Sequence, residues 1–72
     1  MTPSNLSADS FRKWRVAQGL NHKMCAKRLG ISVSNVYVYE AGKRKEGEVK
    51  IPLVVALAMS AIANNIKPWE GI

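Results

Sequence analysis

The chain has 72 residues, 47% of them hydrophobic, and carries 11 Lys and Arg against 5 Asp and Glu, for a net charge of +6 at pH 7. That length makes one domain with a small core, burying about 60% of its unfolded surface, and its apolar content is too high for a disordered tail. A single cysteine, Cys25, and a single histidine, His22, exclude an internal disulfide, a Cys-rich or zinc site and a catalytic dyad.

Residues 1–6 carry Pro, Ser and Asn and read as a frayed, flexible arm, with residues 7–72 forming the single domain. Ser7 or Asp9 is suited to cap a first helix running to about Gln18, with Phe11 and Trp14 on one face and Arg15 and Gln18 beside them. Gly19 is the expected residue just past its end. Leu20 then packs inward, and Asn21 caps a second helix from about His22 to Leu29. Cys25, Ala26 and Leu29 form its buried stripe, and Lys23, Lys27 and Arg28 lie outside. Cys25 reads as a small buried apolar residue in a reducing compartment, not as a redox switch.

Gly30 ends the second helix, Ile31 plugs the turn, and Ser32 caps a third helix from about Val33 to Ala41. Val36 and Tyr39 are taken as its inward residues, with Glu40 next to them, because this phase agrees with a stop at Gly42. A phase in which Val33, Val36 and Tyr37 point inward is the competing one. The segment VSNVYVYE also has strand-like β-branched content, which the flanking caps outweigh. Two short helices about a tight Gly turn in a strongly basic chain are the plan of a helix-turn-helix DNA reader.

KRKEGEVK, residues 43–50, reads as a charged loop anchored only by Val49. Pro52 suits the first turn of a fourth helix, about Pro52 to Ala63, that is apolar nearly all round. The rest of so short a chain can cover only one side of it, so Leu53, Leu57 and Ile62, with Trp69 in the following tail, form the candidate dimer surface. Trp14 and Trp69 read as core or interface anchors. The apolar run is too short to span a bilayer, which takes about 20 residues. With no basic, apolar leader at its start, the chain is expected to be soluble and cytoplasmic.

At Phe11 to Arg44 the chain resembles the Cro/CI-type (XRE-like) helix-turn-helix repressors of phages and bacteria. The resemblance rests on features in register: Arg15 before Gly19-Leu20, Asn21 as cap, Ala26, Gly30, Val36, and then Glu40-Ala41-Gly42-Lys43. It implies an all-α fold, a small lambda-repressor-like bundle of four to five short helices, with the helix-turn-helix formed by helices two and three. It also implies a structural ion pair between Arg15 and Glu40, and a small residue, Ala26, where helices two and three cross. The third helix would be the recognition helix, with Val33, Ser34, Tyr37 and Val38 facing base edges. Asn21, His22, Ser32, Asn35, Lys43, Arg44 and Lys45 would lie toward phosphates. His22 reads equally as a solvated helix-start residue, and the basic residues 43–45 as a solvated loop.

The chain departs from the family where His22 stands in place of a common Gln. Val33, Tyr37 and Val38 also occupy positions that often hold Arg or Gln, and the loop after the third helix is longer. Bidentate Arg–guanine and Gln–adenine pairings are therefore missing. Thymine methyl contacts, hydrogen bonds from Ser34, Tyr37 or Asn35, and DNA shape would supply specificity instead.

The expected function is a sequence-specific, homodimeric double-stranded DNA-binding repressor of a phage or mobile-element promoter, reading an inverted repeat through the major groove. The alternative is an antitoxin-like or accessory module of the same fold whose fourth helix binds a partner protein. A membrane-surface protein is the third reading, disfavoured because the basic residues do not share one long helical face. One His, one Cys and scattered acids argue against an enzyme, and no cofactor, metal or small-molecule ligand is expected.

Overall fold

The first three helices each begin at a side-chain cap that occupies one of the free N–H groups of the first turn. Ser7 Oγ accepts from the Ser10 N–H at 3.0 Å, Asn21 Oδ1 from that of Met24 at 2.7 Å, and Ser32 Oγ from that of Asn35 at 3.1 Å. The resulting elements are α1 (Ala8–Ala17), α2 (His22–Leu29), α3 (Val33–Ala41), β1 (Lys43–Arg44), β2 (Gly47–Glu48) and α4 (Leu53–Ala63). The structure is a computed structural model and describes residues 2–71; Met1 of the expected arm and Ile72 of the expected domain lie outside the described residues.

The C-termini of α2 and α3 depend on left-handed glycines. Gly30 has φ of 71° and Gly42 has φ of 75°, a conformation that costs any residue with a Cβ roughly 1–2 kcal/mol. At Gly42 a Cβ would also meet the Cβ of Ala8 at 3.2 Å, so α1 and the end of α3 approach closely there.

Helix α3 packs against both α1 and α2, and α4 packs on α2. The core consists of Phe11, Leu20, Cys25, Ala26, Val36, Tyr39, Ile51, Val55 and Met59. Phe11 is fully buried and meets the Tyr39 ring edge-on at 5.9 Å. The inward phase of α3 is thus Val36 and Tyr39, not Val33 and Tyr37. Ile31, expected as a buried plug, is half-buried at the edge of this core. Trp14 packs beside Phe11, with its Nε1–H buried and unpartnered among the described residues.

Three expectations need correction. The segment expected as a frayed arm is hydrogen-bonded to the start of α4. Ser4 N–H and Ser4 Oγ both donate to the Ile51 carbonyl, at 2.8 and 2.7 Å, and Leu53 N–H donates to the Thr2 carbonyl at 2.8 Å. The physical reason lies in α4, whose N-cap is Pro52 and has no side-chain acceptor to offer. A neighbouring segment supplies the missing acceptor.

The loop 43–50 contains a two-stranded antiparallel ribbon in which Lys43 pairs with Glu48 and Arg44 with Gly47. Opposite charges face each other across it, and Val49 N–H closes its base on the Gly42 carbonyl at 3.0 Å. Strands this short and uniformly exposed leave no alternating apolar pattern to read.

The third correction concerns the dimer surface. Leu53 and Leu57 are exposed on one side of α4, with Val54 beside them. Ile62 follows Leu53 by about two and a half turns and so stands on the opposite side. It is half-buried, facing a cleft of about 530 Å³ that Leu29 and Ile66 also line. Trp69 is 84% exposed and anchors no core. Among the described residues, no helix is long and apolar enough to cross a membrane.

Candidate nucleic-acid interface

The segment joining α2 to α3 is short because each of its residues serves a different need. Gly30 supplies the left-handed turn, the Ile31 N–H donates back to the Ala26 carbonyl at 3.0 Å, and Ser32 caps α3. Ala26 is buried on α2, which packs on α3, and a larger side chain there would overpack the core. The outcome is a packed pair with the N-terminus of α3 exposed.

Val33, Ser34 and Tyr37 form the exposed side of α3; Val33 is 41% and Tyr37 56% exposed. Val38 belongs elsewhere. It is half-buried and packs against the core, so its expected place among base-facing residues is corrected. One step around the helix from Ser34, its β-branched side chain fills the flank of α3.

Behind this face lies a largely buried ion pair. Arg15 Nε donates to Glu40 Oε2 at 2.8 Å and Arg15 Nη2 to Glu40 Oε1 at 3.1 Å, a bidentate geometry. Arg15 Nη1 also donates to the Leu20 carbonyl at 2.8 Å, tying α1, the α1–α2 turn and α3 together. The two side chains are only 11% and 10% exposed, so solvent screens the pair weakly. Cys25 is fully buried; burial pushes its thiol pKa up, Arg15 pulls it down and Glu40 adds to the rise. A thiol held in its neutral form is a poor nucleophile.

His22 is neither simply solvated nor free to serve a phosphate with both nitrogens. Its Nε2 lies 3.1 Å from Glu40 Oε2, and its ring stacks on that of Tyr37 with centroids 4.2 Å apart and planes 14° from parallel. The sequence held no sign of this stack, since the two rings meet only once the α2–α3 turn is built. Asn35 likewise has a partner inside the chain: its Oδ1 accepts from Arg44 Nη2 at 3.2 Å. This bond fixes the ribbon to the first turn of α3.

The other expected phosphate contacts sit around the same face. Asn21 and Ser32 use their side-chain oxygens as caps, which leaves the Asn21 amide N–H groups and the Ser32 hydroxyl hydrogen as donors. Lys43, Arg44 and Lys45 are exposed on the ribbon, which packs against α3. Lys23, Lys27 and Arg28 are exposed on α2. No family model, curated protein or solved structure matches this chain.

Proposed function

We propose that the protein is a sequence-specific double-stranded DNA-binding regulator of the Cro/CI-like helix-turn-helix type. In this reading α2 and α3 are the motif and α3 is the recognition helix. The protein acts as a homodimeric repressor, at a phage or mobile-element promoter, by occluding polymerase. The observation that carries the reading is one juxtaposition. The exposed face of α3, with its methyls, hydroxyl and phenol, lies beside a ribbon bearing Lys43, Arg44 and Lys45 and is braced from behind by Arg15–Glu40.

The division of labour follows from chemistry. Cations and cap donors hold phosphates and supply affinity that falls with salt. Val33, Ser34 and Tyr37 read base edges, with the valine suited to a thymine methyl and the two hydroxyls to acceptors. With no Arg or Gln on this face, part of the discrimination comes from DNA shape.

Amide NMR during titration with duplex DNA tests this reading. The first turns of α2 and α3 and the ribbon should shift together while α4 stays in place. Shifts confined to α4, or spread over every lysine alike, would contradict it.

A second reading has its own support. Leu53, Val54 and Leu57 are 40–61% exposed on α4, and Trp69 is exposed in the tail. An antitoxin-like or accessory module would use this surface for a different protein. A purified chain that stays monomeric and aggregates until co-expressed with a genomic neighbour would favour that reading over a homodimer.

A further inference from the structure

We infer that His22 is a positioning residue for DNA sequence readout, holding the Tyr37 ring in the orientation from which it meets a base edge. The inference rests on α3 being the recognition helix. It deepens that reading by assigning the specificity of one contact to a residue on the other helix.

The contacts run inward from the surface. Tyr37 is 56% exposed, and an aromatic side chain so exposed on a helix would ordinarily sample several rotamers. Here the His22 imidazole lies flat against it, with a centroid separation of 4.2 Å and an interplanar angle of 14°. The imidazole is held in turn. Its Nε2 lies 3.1 Å from Glu40 Oε2, so that edge of the ring is turned toward the carboxylate. Glu40 is itself fixed by two hydrogen bonds from Arg15.

Tyr37 is therefore the outermost member of a series of contacts that starts at a largely buried ion pair. One face of its ring is covered and the rest is left to the ligand. Ordering a side chain before binding removes that cost from the bound state. The gain is realised only on DNA for which the fixed phenol is well placed, so it appears as specificity rather than as general affinity.

Positioning and phosphate contact make opposite forecasts. Loss of a phosphate contact weakens every sequence alike and lowers the salt slope by about one. Loss of a positioning residue lowers the ratio of specific to scrambled-duplex affinity and leaves the slope unchanged.

The experiment measures binding to the best duplex from a random-pool selection and to its scrambled version, at several salt concentrations. It uses the full chain and the variants His22→Ala, His22→Gln, His22→Phe, Tyr37→Ala and His22→Ala with Tyr37→Ala. His22→Ala should lower the specificity ratio about threefold to tenfold, the scale of an aromatic pair. His22→Gln keeps a donor for Glu40 but loses the ring, so it should fold like the wild type and lose the same ratio. His22→Phe keeps a flat ring and should recover most of it. The double variant should match Tyr37→Ala within about twofold, because both substitutions break one interaction.

An unchanged ratio in His22→Gln, or a lowered slope at constant ratio, overturns the inference while leaving DNA binding intact. A wild type that prefers no sequence overturns the recognition-helix reading itself, and the inference with it. The Tyr37 ring-proton NMR shifts of the free protein give a readout that needs no DNA. They should move in His22→Gln, and shifts that stay put would show that the stack is absent in solution and end the proposal.

Discussion

Helix α3 exposes Val33 and Tyr37, and helix α4 exposes Leu53, Val54 and Leu57, yet the surroundings of the two faces differ. The α3 face is mixed with a serine hydroxyl, flanked by a basic ribbon, capped by Ser32 and anchored by the Arg15–Glu40 pair. Helix α4 holds no charged residue, has no side-chain cap bond, and takes its N-terminal support from the Thr2 carbonyl. Exposure of apolar groups alone therefore assigns no partner. What separates the two faces is the polar and charged frame around them, and on the proposed function that frame suits a polyanion at α3 and another apolar protein surface at α4.

The largest test of this contrast is Glu40→Ala. It strands Arg15 in a site that is 11% exposed and should cost about 3–5 kcal/mol, measurable by urea unfolding. A cost below about 1 kcal/mol would mean that α3 is held by the core alone. Next comes Leu57→Glu on α4. It should change monomer stability by no more than about 0.5 kcal/mol, because the side chain is exposed. In sedimentation, however, it should weaken self-association by about 1.5–3 kcal/mol, the worth of one buried leucine. A dimer that survives unchanged would move the interface away from α4.

Ser32→Ala removes the α3 cap and should cost about 1 kcal/mol in the same unfolding assay. No loss at all would show that the first turn of α3 is held by the Asn35–Arg44 bond instead. The smallest effect on stability belongs to Lys43→Ala and Lys45→Ala. Each should change folding by less than about 0.5 kcal/mol while lowering the slope of DNA affinity against salt by roughly one. An unchanged slope removes that lysine from the contacts.

The parts legible in the sequence were those with local chemistry. Asn21 and Ser32 as caps, Ser7 as one of two candidates beside Asp9, Gly30 and Gly42 as stops, and the inward pair Val36 and Tyr39 each follow from neighbouring residues. The Arg15–Glu40 pair came from resemblance, since nothing local joins residues 25 positions apart. What escaped was relational. The Thr2 carbonyl accepts from the first turn of α4 because Pro52 offers no cap, Ser4 donates to the neighbouring Ile51 carbonyl, and the ribbon is too short for a pattern. The His22–Tyr37 stack exists only after the turn at Gly30 brings two helices together. Val38 and Ile62 are less exposed than expected for a related reason. Both are apolar residues on a helix flank, where the tertiary neighbour and not the helical period decides burial.

Selection of bound duplexes from a random pool at near-physiological salt is the direct test of whether α3 reads DNA sequence. The expected result is recovery of an inverted repeat whose half-site centres lie about 34 Å apart, one helical turn, on one face of the DNA. Recovery of no motif, with binding that vanishes as salt rises, would contradict it and leave the net charge of +6 as the whole cause of association.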